Sequence, residues 1–163
     1  MAKFFEKMDW VLNMFLALLM AGMVVVISAQ VWFRFVVGDP LSWTEEAGRY
    51  MFVWISFLGA AAGVRYRVHL GIDLLEKMAT PNVYKYLVLF SNFLILLFLG
   101  VVIYHGFDII KFIKNQTSAS MTISMMWPYL AVPVGGVWML VNSIRVTVET
   151  FKNPSGYVEG EAK

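Results

Sequence analysis

The 163-residue sequence contains no cysteine, and this excludes several classes of function. Thiol–disulfide oxidoreductases, iron–sulfur proteins and thiolate metal sites all need sulfur ligands. Histidine is almost as scarce, because only His69 and His105 are present. They lie far apart in the chain, without the matched depths on facing helices that transmembrane haem ligation requires. We therefore expect no cofactor, no metal site and no enzymatic activity.

Charged residues are also few, at 15% of the chain against about 25% in a soluble domain. Hydrophobic residues make up 60% of the sequence, and the mean hydropathy is +0.68. Such a composition cannot cover a water-facing surface, so a lipid bilayer must surround most of the chain. The net charge of +2 is too small and dispersed for a nucleic-acid-binding surface.

Long uncharged runs divide the chain into four candidate membrane helices. The predicted spans cover residues about 10–33, 45–64, 86–107 and 126–144. Each is hydrophobic on most faces and near the roughly 20 residues that cross a bilayer as a helix. The sequence therefore predicts an all-α integral membrane protein. Its four-helix domain covers residues 1–151, and a disordered cytoplasmic tail covers 152–163.

The first run superficially resembles a secretion signal. Its 24 uncharged residues, from Trp10 to Phe33, exceed the apolar region of such signals, which is about 7–15 residues long. Ile27-Ser28-Ala29 is also a poor cleavage site. We therefore expect an uncleaved first transmembrane helix.

Turn and cap residues separate the four runs. Gly38-Asp39-Pro40 predicts a turn, after which the hydroxyls of Ser42 and Thr44 offer caps for the second helix. Thr80-Pro81 predicts the cap and the first residue of the third helix. Pro133 should bend or delay the first turns of the fourth helix.

Lysine and arginine are distributed unevenly between the two ends of the predicted spans. If the N-terminus is cytoplasmic, nine of these 13 residues lie on the cytoplasmic side and four lie outside. Basic residues favour the cytoplasmic side of a membrane. Both termini are therefore predicted to be cytoplasmic.

The middles of the four predicted spans contain no ionisable residue. Ionisable groups at that depth are the usual sign of ion-coupled transport. The sequence thus disfavours a carrier that works by itself.

Small residues recur at four-residue spacing in three spans. The pairs are Ala17/Ala21, Gly59/Gly63 and Ala131/Gly135. This spacing lets helix backbones approach closely. The pairs could pack within the chain's own four helices or contact another membrane protein.

The second span has a polar collar at each end. Its uncharged part, residues 50–64, covers only about 22 Å as a helix, less than the roughly 30 Å hydrocarbon thickness. Glu45 and Arg49 can form an ion pair along the helix, or they can meet charged groups on a partner protein. Asp108 and Lys111 can pair in the same way on the third span.

The same stretch carries a family resemblance. Trp43-Thr44-Glu45-Glu46, followed by Arg49-Tyr50 and Phe52-Val53-Trp54, resembles the small membrane subunit of TRAP transporters, the DctQ-type family. The pattern continues through Phe57-Leu58-Gly59-Ala60-Ala61, Arg65, His69 to Leu75, Gln116-Thr117-Ser118 and Tyr129 to Gly136. The resemblance runs from the first helix to about Arg145.

This resemblance implies a tripartite ATP-independent periplasmic transporter of the inner membrane. In such a system a periplasmic binding protein captures an organic acid, such as a C4-dicarboxylate or sialic acid. A large membrane subunit holds the substrate and sodium sites and moves in an elevator-like manner, and the small subunit forms part of its fixed scaffold.

The partner contacts expected from this reading lie in and beside the two collars, residues 45–49 and 65–73, and deeper in the second span at Trp54. The candidates are Trp43, Glu45, Glu46, Arg49, Trp54, Arg65, His69 and Asp73. Two other functions stay open at this point, namely an autonomous small exporter and a cofactor-bearing subunit of a membrane enzyme.

Overall fold

The computed structural model describes residues 2–65 and 81–152 of the chain. The helices are α1 (Ala2–Trp32), which continues into a π-helical turn (Phe33–Val37), α2 (Ser42–Arg65), α3 (Pro81–Ile113), a short α4 (Met126–Tyr129) and α5 (Ala131–Lys152). Within these described ranges, four segments are long and apolar enough to cross a membrane: Phe5–Val37, Ser42–Arg65, Leu89–Ile113 and Met126–Val148. The predicted all-α fold with four spans is confirmed. Helix α5 includes Lys152, and the rest of the predicted tail lies outside the described residues.

Most of the predicted turn signals act as expected, with one exception. Gly38 ends the first helix in the left-handed region, at φ 78°, where a residue without a Cβ has no steric penalty. Pro81 is the first residue of α3, while Thr80 lies outside the described residues. The capping role predicted for Thr44 is wrong, because its hydroxyl donates back to the Leu41 carbonyl at 2.7 Å.

Proline interrupts the last span near its start. Leu130 separates α4 from α5, and Pro133 occupies the third position of α5. Its ring nitrogen cannot donate to the carbonyl four residues earlier. The chain therefore delays the regular helix, as the sequence predicts.

The four long helices form an open row in the spatial order α1–α2–α5–α3. Helix α2 packs against α1 on one side and α5 on the other, and α5 packs in turn against α3. The last helix in the sequence thus lies between the second and the third. Such a row has two broad faces, and many large apolar side chains on α1 and α3 are exposed on them. Lipid or other protein must cover these faces in a membrane.

Small residues allow the close approach at the centre of the row. A Cβ added to Gly135 of α5 would lie 2.7 Å from Phe57 Cβ and 3.1 Å from the Phe57 carbonyl carbon and oxygen. Ala131 and Ala61 are fully buried nearby in the same two helices. The Ala131/Gly135 pair therefore packs within the chain, which confirms one of the two interpretations for this pair.

The other two small-residue pairs do not pack in this way. Ala17 and Ala21 are exposed, and a Cβ added to Gly59 or Gly63 would meet nothing within 4 Å. Of the two interpretations, close packing within the chain is not seen for these four residues among the residues that the structure describes. Their faces are available to lipid or to another protein.

Candidate functional site: two polar clusters at the ends of the row

At one end of the helix axes, where α1 begins and α2 and α5 end, an acidic side chain from α1 lies between two arginines. Both carboxylate oxygens of Asp9 are 3.2 Å from Arg145 Nη1, and Asp9 Oδ2 is 3.7 Å from Arg65 Nε. The side chains of Asp9 and Arg145 are only 18% and 14% exposed. At that degree of burial a carboxylate needs a cationic partner, and here it has two.

An asparagine extends this arrangement to the backbone of α2. Asn142 is fully buried, its side-chain oxygen accepts from Arg145 at 3.1 Å, and its amide donates to the Ala61 carbonyl at 2.9 Å. The Arg145 guanidinium also lies 4.3 Å from the centre of the Phe5 ring, within the range of a cation–π contact. We call Asp9, Arg65, Asn142 and Arg145 the Asp9 cluster. It joins α1, α2 and α5.

The Asp9 cluster fixes the relative direction of the helices. It brings together the beginning of α1 and the ends of α2 and α5. The two ends of the described chain therefore lie on the same side of the row, as the predicted topology requires.

At the opposite end of the helix axes, where α2 begins and α3 ends, Glu46 of α2 holds the loop between α3 and α4. Its Oε2 accepts hydrogen bonds from the backbone N–H groups of Ser120 and Met121, each at 3.0 Å. Its Oε1 accepts from the Tyr50 hydroxyl at 2.5 Å, and that hydroxyl is also 3.2 Å from Met125 Sδ. One carboxylate thus ties α2 to a segment more than 70 residues later.

The loop itself has a regular core. Thr117 and Ser124 form an antiparallel bridge, supported by bonds from Ser118 N–H to the Ile123 carbonyl at 2.8 Å and from Met125 N–H to the Gln116 carbonyl at 2.9 Å. We call residues 116–125 the hairpin. Together with Glu46 and Tyr50 it forms the Glu46 cluster.

The tip of the hairpin carries local strain. Thr122 adopts φ 53°, a conformation that a β-branched residue rarely takes. Such positions persist where the surrounding contacts determine them. The two bonds from the neighbouring backbone to Glu46 are contacts of that kind.

The residues predicted to contact a partner differ in their exposure and in their bonds within the chain. Glu45 and Arg49 form the expected ion pair at 3.2 Å, with side chains 71% and 65% exposed. Trp43 is exposed and Trp54 is half-buried. His69 and Asp73 lie outside the described residues. Contact of these residues with a partner stays a prediction.

Two candidates use their charge within the chain. Glu46 binds the hairpin, and Arg65 lies beside Asp9. The predicted pair of Asp108 and Lys111 is present at 2.7 Å. Reasoning from the sequence alone does not single out Asp9, Asn142 or Arg145 as a cluster. The signal was the spacing of Asn142 and Arg145, which puts both on one helix face.

Removing the charge of Glu46 is expected to release the hairpin. Glutamine in Glu46→Gln keeps the shape but weakens the charge-assisted bonds to the two backbone N–H groups. We expect faster hydrogen–deuterium exchange at the Ser120 and Met121 amides in the purified protein.

The neighbouring substitution Glu45→Gln is a matched control. It removes a carboxylate from the same helix turn but touches only the Arg49 pair. Exchange at the two hairpin amides should stay unchanged there. Equal exchange rates in the two variants would contradict the role assigned to Glu46.

The fold and the two clusters define a multi-pass α-helical membrane protein whose polar groups hold its own helices and hairpin together. Residues 23–153 match the family described as "Tripartite ATP-independent periplasmic transporters, DctQ component". The chain belongs to this family and is a small permease component of a TRAP transporter. It is accordingly a multi-pass protein of the bacterial inner membrane and not an enzyme.

Several relatives share the same stretch of sequence. The small permease protein SiaQ of the sialic acid TRAP transporter of Vibrio cholerae is 26% identical over 78% of this chain and 73% of its own length. The small permease protein DctQ of the C4-dicarboxylate TRAP transporter of Rhodobacter capsulatus is 30% identical over 76% of this chain and 58% of its own length. The sialic acid TRAP transporter permease protein SiaT of Haemophilus influenzae is 27% identical over 82% of this chain, but the match spans only 22% of that longer protein.

Proposed function

We propose that this chain is the static small subunit that supports a large, sodium-coupled membrane subunit during uptake of an organic acid. A periplasmic binding protein delivers the substrate in this proposal. Both termini of the chain are cytoplasmic, so the Asp9 cluster lies on the cytoplasmic side and the Glu46 cluster on the periplasmic side.

The observation that carries the proposal is that the two clusters hold helices and loop of the same chain together through polar contacts. The Asp9 cluster joins α1, α2 and α5, and the Glu46 cluster joins α2 to the hairpin. A carrier that alternates between two faces must break contacts between its helices in each cycle. Polar contacts between the elements at both ends of the helix axes instead favour a subunit that keeps one conformation and supports the large subunit.

The uncovered face of α2 is the proposed contact with the large subunit. Phe52, Ser56 and Ala60 are exposed on it, and Gly59 and Gly63 leave open space. Small residues of this kind let a second membrane helix approach closely. The match to a limited part of the longer protein SiaT is compatible with such a neighbour, because in that protein the equivalent of this chain is joined to further sequence.

The periplasmic end offers a surface for the binding protein. Trp43, Glu45 and Arg49 are exposed there, next to the hairpin that Glu46 holds in place. Charged groups at the rim of an interface mainly guide encounter and orientation. We propose that this end meets the binding protein when it docks.

The proposed substrate class is an organic acid. Relatives are named for sialic acid and for C4-dicarboxylates, and both kinds of compound carry carboxylate groups. The chain's own residues do not choose between them, because the substrate site in this proposal belongs to the large subunit.

A disulfide between α3 and α5 tests whether the row stays fixed during transport. A Cβ on Gly136 would lie 3.0 Å from Ile103 Cγ1, so a Gly136→Cys/Ile103→Cys pair can approach the Cβ separation of about 3.8 Å found in disulfides. The wild-type chain has no cysteine, so within this subunit oxidation affects only this pair, and the same assay with the wild-type subunit shows any effect of oxidation on the other two proteins. In proteoliposomes that also contain the large subunit and the binding protein, we expect equal uptake before and after oxidation.

The reduced form of the same variant is the control for the substitutions themselves. Loss of uptake on oxidation alone would show that these helices move and would overturn the static role. Liposomes that contain the small subunit and the binding protein without the large subunit should show no uptake. Uptake there would favour the autonomous carrier.

A further inference from the structure

We propose that an apolar groove between α1 and α5 binds one acyl chain of an anionic phospholipid whose headgroup is held by Lys7. The groove has a volume of about 560 Å³ and is lined by Lys7, Met8, Val11, Leu12, Phe15 and Trp138. Five of these residues share one face of α1, and Trp138 of α5 forms the opposite wall. The inference goes beyond the proposed transport role and uses only its assignment of the Asp9 cluster to the cytoplasmic side.

The length of the groove favours a lipid over a protein helix. From Lys7 to Phe15 it follows about 12 Å of α1, or less than half of the roughly 30 Å hydrocarbon thickness. It begins at the charged end of α1 and stops before the middle of the bilayer. A spanning helix of a partner would need a groove through both leaflets, whereas a lipid occupies only one.

Charge at the mouth of the groove favours an anionic headgroup. Asp9 is already paired with Arg145 and Arg65, so its carboxylate is compensated within the chain. Within the described part of the chain, Lys7 has no ion-pair partner, and its side chain is exposed. Glu6, the preceding residue in the sequence, is also exposed. A lysine on the cytoplasmic side faces the leaflet that carries the anionic lipids.

The walls of the groove are suited to an acyl chain. Val11 is 53% exposed and Phe15 is 45% exposed, although both are apolar. The wall of α5 is the indole of Trp138, a large side chain of the kind that packs well against apolar groups. An acyl chain would cover these surfaces. It would exchange contacts with other lipids for similar apolar contacts in the groove, which costs little free energy.

Retention of lipid by the full-length chain in detergent tests this proposal. The probes are phosphatidylglycerol and phosphatidylcholine with identical acyl chains, and bound lipid is counted by native mass spectrometry. We expect one phosphatidylglycerol to be retained in preference to phosphatidylcholine. Lys7→Gln should weaken its retention about fivefold, the effect of one basic residue at a membrane surface.

Two matched variants separate the headgroup from general charge. Glu6→Gln, on the adjacent residue, should not weaken retention. Lys114→Gln should have no effect, because that lysine follows the end of α3, at the opposite end of the helix axes from Lys7. Val11→Trp should fill the groove and reduce retention of the lipid, while Met14→Trp, on an exposed position outside the groove lining, should not. Equal retention of the two lipids, or an unchanged affinity in both Lys7→Gln and Val11→Trp, would overturn the proposal.

A photo-crosslinking residue at Phe15 tests the other possible occupant in the assembled transporter. Crosslinks to phospholipid are expected. Crosslinks to the large subunit in place of lipid would overturn the proposal. This readout does not involve uptake, so it is independent of whether the static transport role is correct.

Discussion

Replacing Asp9 with asparagine is expected to destabilise the folded chain by about 2–4 kcal/mol. The substitution leaves Arg145 without its carboxylate partner at a position where its side chain is only 14% exposed, and it removes the negative charge beside Arg65. An uncompensated, nearly buried charge costs far more than a lost surface ion pair. Chemical unfolding of the purified chain in detergent would measure the change in the free energy of unfolding.

The Asp108–Lys111 pair supplies the matched control. Lys111 is 72% exposed, and Asp108→Asn is expected to change the free energy of unfolding far less than Asp9→Asn, because a solvent-exposed pair contributes little to stability. Adding Arg145→Gln to Asp9→Asn should recover part of the lost stability, because the unpaired cation is then removed. Equal losses from Asp9→Asn and Asp108→Asn would contradict the structural role of the Asp9 cluster.

Adding one methyl group at Gly135 is expected to separate α2 from α5. In Gly135→Ala the new Cβ would lie 2.7 Å from Phe57 Cβ and 3.1 Å from its carbonyl carbon and oxygen. Two of these atoms belong to the backbone, which cannot move aside as a side chain can. We expect a loss of about 1–3 kcal/mol, the usual cost of overpacking a tight core, measured by the same unfolding experiment.

The identity of the opposing atoms sharpens this prediction. Phe57→Ala should fail to rescue Gly135→Ala, because alanine keeps the Cβ and the carbonyl group that make the close contact. Gly59→Ala and Gly63→Ala are the controls, since their new methyl groups would meet nothing within 4 Å. These two variants should be neutral or slightly more stable. A similar loss in all three alanine variants would argue against close packing at Gly135.

Local patterns in the sequence predict the spans and the short-range ion pairs. Uncharged runs locate the four membrane segments. Each segment is a helix because its backbone N–H and C=O groups must be hydrogen-bonded within the segment in lipid. The Glu45–Arg49 and Asp108–Lys111 pairs follow from helical spacing alone. Positive φ at Gly38 and a helix start at Pro81 follow from the backbone limits of these two residue types.

Contacts between distant segments could not be predicted in the same way. Nothing in the spacing of Glu46 indicates that its carboxylate binds the Ser120 and Met121 amides, because the hairpin acquires its position only when α3 and α5 pack. The same reason applies to Asp9 and Arg145, which stand near opposite ends of the sequence. Thr44 shows a local limit as well, since its hydroxyl had two acceptable partners and bonds to the preceding carbonyl.

The three small-residue pairs illustrate what such a pattern can and cannot establish. The spacing permits close approach of a second helix, but the partner decides whether that approach occurs. Gly135 meets α2 within the chain, while Gly59 has open space beside it. Their environments differ because only one of the two helix faces is turned toward a neighbour in the row.

The position of α5 between α2 and α3 has a consequence for biosynthesis. When the ribosome has completed α3, the nascent chain holds a paired α1 and α2 and a separate third helix, with no neighbour to join them. Only the arrival of the final span supplies the surface that both sides need. The four-helix row therefore cannot be complete until α5 has entered the membrane, although α1 and α2 can pair before then.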